Sequence, residues 1–205
     1  MSSPASGGKE YDEAYFAKWY HDPRTRVHTP DSVRRKVRMV MGITEYFLRR
    51  KVRTVLDIGA GEGAWRAELK RMRPQAQYLG FDPSEYVVRR HGKRRNIRLG
   101  RFEDVPTLGL KGKYDLIVCA DVLQYVSTPA VERGVAEIAR RLGGVAFLEA
   151  YTTGDEMEGD LTGWHARSKA KYRAIFSRAG LVRCGLHCYL NPDIAERGVE
   201  LELAV

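Results

Sequence analysis

A chain of 205 residues fits one globular domain and is long enough to bury a full core without disulfide staples. The hydrophobic fraction is 43% and the charged fraction 30%, and no apolar run approaches the ~20 residues that span a bilayer. Composition therefore excludes a membrane-spanning protein. The first residues lack the apolar region of a signal peptide, so we expect a cytoplasmic protein.

The net charge is +9, and much of the basic excess falls in three clusters. These clusters are Arg34, Arg35, Lys36 and Arg38; Arg49, Arg50, Lys51 and Arg53; and Arg89, Arg90, Lys93, Arg94 and Arg95. A basic surface permits a nucleic-acid partner. Solvated helix faces are the alternative, and we favour them because no aromatic residues interleave the basic runs as a base-stacking platform requires.

The cysteines are Cys119, Cys184 and Cys188, an odd number that suits a reducing compartment better than a disulfide scaffold. Cys184 and Cys188 lie four apart in a predicted strand, which places both side chains on one face. They lack the two-residue spacing of zinc knuckles. We therefore predict thiols of the core or surface and no metal site.

Small polar residues dominate positions 1–10, which predicts a disordered tail. Aromatic residues then recur at helical intervals and predict a short amphipathic helix: Tyr11, Tyr15, Phe16, Trp19 and Tyr20. Capping residues at 29–32 predict a second helix from Asp31. Its predicted apolar face is Val33, Val37, Val40, Met41, Thr44 and Phe47. These N-terminal helices at 11–50 are expected to form a lid.

Apolar runs alternate with helical patterns over residues 54–205. The predicted strands are 54–58, 77–81, 96–99, 114–119, 144–150, 182–190 and 199–205, and the predicted helices lie near 64–72, 84–92, 129–141 and 166–179. This order predicts an α/β, Rossmann-like, seven-stranded and mostly parallel sheet with helices on both faces. Only a short loop at Asn191-Pro192 separates the last two strands, so they should form an antiparallel hairpin. Residues 11–205 are predicted to form a single domain.

A glycine-rich turn follows the first strand, with glycines at 59, 61 and 63. Glycines there allow a sharp turn and close approach of a ligand, although such turns also serve as packing devices. Asp57 lies at the approach to this turn. Because its carboxylate would repel a pyrophosphate, the pattern favours a cationic ligand.

Asp82 ends the second strand and is followed by Pro83 and Ser84. An acidic residue at this edge of a nucleotide-binding sheet accepts hydrogen bonds from both ribose hydroxyls. The alternative is that Asp82 only caps the helix beginning near Ser84. Because a glycine turn follows the neighbouring strand, we favour the interpretation that Asp82 binds a ribose.

Five segments in register carry a family resemblance: VLDIGAGEGAW at 55–65, YLGFDPS at 78–84, IRLGRFEDVP at 97–106, YDLIVCADVLQYV at 114–126 and LGGVAFLEA at 142–150. With them the chain resembles the class I S-adenosylmethionine-dependent methyltransferases from about Tyr11 to Val205. The resemblance implies S-adenosyl-L-methionine as cofactor and S-adenosyl-L-homocysteine as product.

The resemblance also implies the positions that surround the cofactor. Asp57, Gly59, Ala60 and Gly61 would surround its methionine part, and Asp82 would hold the ribose, with Pro83 over the adenine. Family members often carry an aspartate that recognises adenine, whereas this chain has Arg101-Phe102-Glu103, so backbone groups would take that role. The carbonyl of Cys119, together with Ala120, Val122 and Leu123, would line the amino and sulfonium groups, and Tyr20 would cover them from the lid.

Methyl transfer from a sulfonium is an in-line displacement, so alignment supplies much of the acceleration. A base is needed only if the acceptor must lose a proton. The candidates are His165 and Glu149, with Tyr125 and Tyr151 as hydrogen-bonding or shaping groups. His165 lies in a predicted loop and has exposure as its alternative explanation.

Three functions remain open from the sequence. The favoured one is methylation of a small molecule by a monomer or homodimer. The second is an RNA or other nucleic-acid methyltransferase, although strand four ends in CADV where amino-methylating nucleic-acid enzymes carry an Asn/Asp-Pro-Pro-aromatic motif. The third is a non-catalytic cofactor-binding subunit, which the intact glycine turn and acidic ribose position oppose.

Overall fold

The computed structural model describes residues 9–156 and 159–204. Seven strands form one sheet in the order β3-β2-β1-β4-β5-β7-β6. The strands are β1 Thr54–Ile58, β2 Gln77–Asp82, β3 Ile97–Leu99, β4 Tyr114–Ala120, β5 Leu142–Glu149, β6 Val182–Gly185 and β7 Cys188–Leu190. The first five are mutually parallel, and β7 is antiparallel to both β5 and β6. The predicted fold class is confirmed.

Helices and short turns cover both faces of the sheet. The α-helices are α1 Glu13–Phe16, α2 Pro30–Leu48, α3 Ala64–Met72, α4 Glu85–Val87, α5 Lys93–Arg95, α6 Thr128–Arg141, α7 Lys169–Arg178 and α8 Pro192–Ala195. π-helical turns continue α1 over Ala17–His21 and join α4 to α5 over Val88–Gly92, and 3₁₀ turns lie at Phe102–Thr107, Leu123–Tyr125 and Glu200–Glu202. Among the described residues, none of these helices combines the length and apolar character needed to cross a membrane.

Helix α2 shows how local sequence sets an element. The Thr29 hydroxyl accepts a 3.1 Å hydrogen bond from the Ser32 amide, and Pro30 occupies the first turn, where its missing N–H is not needed. The helix ends at Arg49, which adopts a left-handed conformation with φ of 54°. Its inward face is the predicted one: Val37, Val40, Met41, Thr44 and Phe47 are buried, and Val33 is partly buried.

Two apolar clusters lie on the two faces of the sheet. One contains residues of α2 and α3 together with Val55, Leu116 and Phe147. The other contains residues of α6 and α7 together with Leu56 and Ile117. Consecutive residues of β1 and β4 thus point to opposite faces, as the alternation of a strand requires. Because both faces are covered, the strands read as continuous apolar runs.

The position of the antiparallel hairpin differs from the prediction. Residues 182–190 form both β6 and β7, joined by a tight turn in which Leu186 and His187 have φ of 52° and 61°. Cys184 and Cys188 therefore belong to adjacent strands, and the neighbouring Cys188 thiol lowers the pKa of Cys184.

The prediction of a strand at 199–205 is wrong for residues 199–204, the part of it that the structure describes. That segment forms a 3₁₀ turn at Glu200–Glu202, and Leu201 is 99% exposed. Its alternating pattern resembles a half-buried strand, but of its leucines Leu203 packs against the core while Leu201 points into solvent. Asn191 and Pro192, predicted as a loop, instead begin helix α8.

Candidate functional site

The glycine turn between β1 and α3 is attached to the neighbouring strand. The amides of Gly59 and Ala60 both donate to the Phe81 carbonyl, at 2.8 and 2.9 Å. Gly59 has a φ of +77°, and a Cβ added to it would lie 2.2 Å from Cγ2 of Val122. Glycine is thus required twice over at this position, for backbone conformation and for the approach of Val122 at the end of β4.

Asp57 places a carboxylate under the turn. It lies on β1 opposite Gly80 of β2 and Val118 of β4 and is 2% exposed. Tyr78 donates a 2.6 Å hydrogen bond to its Oδ2. Burial raises the pKa of Asp57 to about 7, with Asp82 adding to the rise and the Tyr78 hydrogen bond opposing it. A buried carboxylate with a single side-chain donor is prepared for a cationic neighbour.

Asp82, at the end of β2, is the second buried carboxylate. It accepts hydrogen bonds from the amide of Gly61 at 2.7 Å and from the amide of Ser84 at 2.9 Å. Burial raises the pKa of Asp82 to about 6, although these two hydrogen bonds act to lower it. The N-cap of helix α4 is Ser84, whose hydroxyl accepts from Val87. Asp82 therefore does more than cap a helix, because it links the end of β2 to the glycine turn.

The N-terminal segment covers this edge of the sheet. The ring of Tyr20 packs on the turn, its hydroxyl lying 3.0 Å from where a Cβ of Gly61 would be. Ser84 Oγ donates to the Tyr11 carbonyl at 2.5 Å. Nε2 of His21 lies 3.2 Å from the Glu62 carboxylate. Three contacts, to Gly61, Glu62 and Ser84, therefore hold the N-terminal segment against the glycine turn and the residues that follow Asp82.

At the end of β4, Cys119 is fully buried and burial raises the pKa of its thiol. Asp121 follows with φ of 60°, in the left-handed region that aspartate tolerates better than most residues. Its amide donates to the Glu149 carbonyl at 3.2 Å, and the Gln124 amide donates to its carboxylate. Burial, then Glu149, raises the pKa of Asp121 to about 6.

Glu149, predicted from the end of β5, is buried and paired with Lys36 of α2 at 2.7 Å. Nε2 of His28 lies 3.9 Å from Oδ2 of Asp121. The sequence analysis placed Lys36 among surface cations, placed Asp121 only at the end of strand four without a role, and did not consider His28. No local spacing indicates this grouping, since residues about 90 to 120 positions apart meet only through the folded sheet.

The other predicted catalytic residues have different environments. The side chain of His165 is exposed, although its amide donates to the Gln124 carbonyl at 2.7 Å. Tyr125 donates a 2.8 Å hydrogen bond to the Asp160 carbonyl. The buried guanidinium of Arg167, which the sequence analysis missed, donates to the Leu123 carbonyl at 2.9 Å and so holds the residues just before α7 against the segment after β4.

Residues 101–103, the segment predicted to contact the adenine, offer it backbone groups more than side chains. Arg101 and Glu103 are exposed. Phe102 is buried, with its ring packed where Gly134 of α6 has no Cβ. The Asp104 carboxylate accepts from the Arg101 amide at 2.9 Å. The recognition of adenine by backbone groups here stays a prediction.

The carboxyl edge thus brings together most of the predicted cofactor positions: the turn at 59–61, the acids Asp57 and Asp82, Val122 and Tyr20. Ala120 and Pro83 are partly buried beside them. Within the described ranges, no group of three His, Cys, Asp or Glu side chains has an arrangement that could hold a metal ion.

A family model described as a methyltransferase domain matches residues 33–185. No curated protein sequence gives a match. Among solved structures, SAM-bound CalS10 from Micromonospora echinaspora, an amino pentose methyltransferase, superposes with a TM-score of 0.65 and 16% identity, covering 91% of this chain and 100% of that one. DesVI from Streptomyces venezuelae gives 0.59 and 17%, covering 78% and 90%.

An O-methyltransferase family protein from Burkholderia thailandensis gives a TM-score of 0.52 and 19% identity. The alignment covers 85% of this chain but only 60% of that protein. At these identities, the structural similarities show a shared fold.

Proposed function

The chain belongs to the methyltransferase family and is an S-adenosylmethionine-dependent class I enzyme, and from this premise we propose that it methylates a small-molecule acceptor. The observation that carries the proposal is the closed edge of the sheet, where the N-terminal segment packs over the glycine turn and Asp82. A site covered in this way suits a ligand that the protein can surround.

The residues present fit S-adenosylmethionine. Asp57 and Asp82 are buried carboxylates whose raised pKa values, about 7 and about 6, reflect an unmet need for donors or positive charge. The ammonium group and the ribose hydroxyls of the cofactor supply these. Gly59 and Gly61 carry no side chain of their own, and Val122 and the Tyr20 ring lie where their Cβ atoms would be, so these two side chains would border the cofactor at the turn.

When bound, the cofactor supplies an electrophilic methyl group on a sulfonium. Asp82 would hold the ribose, and Asp57 would face the ammonium group from beneath the turn. Val122, packed against Gly59, and the ring of Tyr20 would exclude water from the region between them. Alignment of this kind is the main contribution that a protein makes to an in-line displacement.

The surface charge supports a small acceptor over a nucleic acid. Arg34 and Arg35 both pair with Asp31, and Arg38 pairs with Glu68 at 2.7 Å. Arg50 is bonded to Asp115 at 2.6 Å. Cations held by neighbouring carboxylates are less available to phosphates, because each contact must first be exchanged.

Two measurements test the proposal. Calorimetric titration should detect micromolar binding of S-adenosylmethionine and S-adenosylhomocysteine, together with thermal stabilisation by each. The protein should then transfer radiolabelled methyl groups to members of a metabolite panel. Absence of binding to either compound would reject the cofactor assignment.

Bulk RNA and DNA, assayed beside the panel at physiological salt, test the nucleic-acid alternative. The matched variant is Arg34→Glu, Arg35→Glu. The small-molecule proposal would be replaced if the parent chain methylates nucleic acid and this variant does not, although the variant keeps its affinity for S-adenosylhomocysteine.

A further inference from the structure

Lys9 places its ammonium group inside a cluster of tyrosine rings. Nζ lies 3.8 Å from the ring centroid of Tyr125, 5.2 Å from that of Tyr15 and 5.3 Å from that of Tyr11. It is also 2.9 Å from Oδ2 of Asp160, and its side chain is only 11% exposed. We call Tyr11, Tyr15, Tyr125 and Asp160 the tyrosine cage. Rings within about 6 Å of a cation attract it through their faces.

The tyrosine cage adjoins the predicted cofactor site on two sides. On one side, the Tyr11 carbonyl accepts from Ser84, and the Asp82 carboxylate is close enough to help raise the pKa of the Tyr11 hydroxyl. On the other, Tyr125 follows Asp121 and Val122 at the end of β4. A group held in the cage therefore lies beside the site proposed for the methyl donor.

The tyrosine cage is built for positive charge. Burial raises the pKa of Tyr11 to about 12 and also raises those of Tyr15 and Tyr125, so the rings stay neutral. Asp160 supplies a carboxylate, and Lys9 lowers its pKa. Lys18 gives a contrast in the same segment, because its ammonium lies 4.4 Å from the single ring of Trp19 and its side chain is exposed.

We propose that the tyrosine cage is the acceptor site, that the acceptor is an amine, and that Lys9 holds its place until the acceptor arrives. This inference rests on the proposed function and specifies its substrate class. The ammonium of Lys9 shows the chemistry that the cage accommodates: a primary cation on an aliphatic stem, surrounded by rings and neutralised by one carboxylate.

In this proposal the proton that an amine must lose goes to Asp121, which lies four residues before Tyr125 of the cage and whose carboxylate accepts from the Gln124 amide. Asp121 is close enough to Lys9 for that cation to lower its pKa, which burial nevertheless holds at about 6. The acceptor ammonium gives a proton to the Asp121 carboxylate and becomes a neutral amine. Its nitrogen then forms the N–C bond while the S–C bond breaks, and positive charge passes from sulfur to nitrogen within the rings, which favour it there.

The first experiment replaces the Lys9 side chain with its detached equivalent. Lys9→Ala should open the cage, and n-butylammonium chloride, which reproduces the missing stem and charge, should refill it. Titration followed by NMR of ring-labelled tyrosine should show that n-butylammonium binds Lys9→Ala at least about tenfold more tightly than it binds the parent chain. The neutral isostere 1-butanol should bind neither protein.

Matched variants locate that binding. Lys18→Ala should behave as the parent does. In the Lys9→Ala background, Tyr125→Phe should keep n-butylammonium binding and Tyr125→Leu should lose it, since only the first keeps a ring. Equal binding of 1-butanol, equal binding by the parent chain, or indifference to Tyr125→Leu would each overturn the tyrosine cage as a cation site.

The acceptor role has its own readout. Lys9→Ala, incubated with radiolabelled S-adenosylmethionine, should methylate members of a panel of aliphatic amines and not the matched alcohols; preference for the alcohols would overturn the inference. Titration of the same variant with S-adenosylhomocysteine separates the two proposals. Cofactor binding without cation binding rejects the tyrosine cage alone, whereas cation binding without cofactor binding rejects the proposed function.

Discussion

The Asp82 carboxylate accepts a 2.7 Å hydrogen bond from the backbone amide of Gly61, and through it the second strand fixes the turn that follows the first. Asp82→Ala should weaken S-adenosylhomocysteine binding by about 1.5–3 kcal/mol, because hydrogen bonds to a charged group are lost. Calorimetry measures this change. Asp193→Ala, at an exposed position on α8, is the control and should bind as the parent does. Unchanged affinity in Asp82→Ala would leave the carboxylate only its role in the turn.

A second prediction concerns pH. Burial raises the pKa of Asp57 from 3.8 to about 7, so between these values the folded protein binds a proton that the unfolded chain has released. The free energy of unfolding should therefore fall as pH rises, most steeply between about pH 4 and about pH 7, and level off above the folded pKa. Urea denaturation of the ligand-free protein at several pH values measures the slope.

The variant Asp57→Asn isolates the contribution of this carboxyl to that slope. It cannot ionise, so its unfolding free energy should depend less on pH over the same interval. A parent protein that gains stability across this interval, or a variant with the parent's slope, would contradict the assignment. Asp82, with a pKa of about 6, contributes in the same direction and remains in the variant.

A third prediction compares two glycines. Gly59→Ala should destabilise the protein by about 1–3 kcal/mol, because alanine is strained at a φ of +77° and its Cβ would meet Val122. Gly42→Ala should stabilise it by about 0.5–1 kcal/mol, since Gly42 lies inside α2 with no atom within 4 Å of an added Cβ. Urea denaturation measures both. Equal effects of the two substitutions would show that the turn tolerates a side chain.

A fourth prediction concerns metals. Treatment with EDTA should leave methyl transfer unchanged, since displacement at a sulfonium needs no metal electrophile. The assay is radiolabelled methyl incorporation before and after dialysis against the chelator. Activity lost on chelation and recovered with Mg²⁺ or Zn²⁺ would reveal a metal requirement.

The sequence predicts the parallel part of the sheet well because buried parallel strands are continuous apolar runs, and β1, β2 and β4 fit that pattern. It fails at the C-terminus for a physical reason. Apolar residues lie on both sides of the turn at Leu186-His187, and the turn has no Asn-Gly or Asp-Gly pair to mark a hairpin, so residues 182–190 resemble one strand. Once that turn forms, the hairpin is complete, and residues 199–204 form a 3₁₀ turn whose end meets β6 through the Ala204 amide, which donates to the Arg183 carbonyl at 2.9 Å.

The candidate site also contains residues that the sequence predicts and residues that it does not. The residues of the glycine turn and Asp82 are predictable because they lie in short segments whose spacing reflects backbone geometry. Lys9, His28 and Lys36 are not, because each reaches the site from the N-terminal region through contacts with residues more than about 90 positions away. Charge and aromatic content are visible in the sequence, whereas the pairing of one lysine with one ring is a property of the packed chain.

The contact between Tyr20 and Gly61 has a consequence for turnover. A ligand bound beneath that ring leaves only after the N-terminal segment moves, so the rate of opening sets an upper limit on product release. The His21–Glu62 pair is part of what opening must break. Under saturating substrates, kcat should therefore respond to solvent viscosity, and Glu62→Gln should raise the dissociation rate of S-adenosylhomocysteine in stopped-flow measurements.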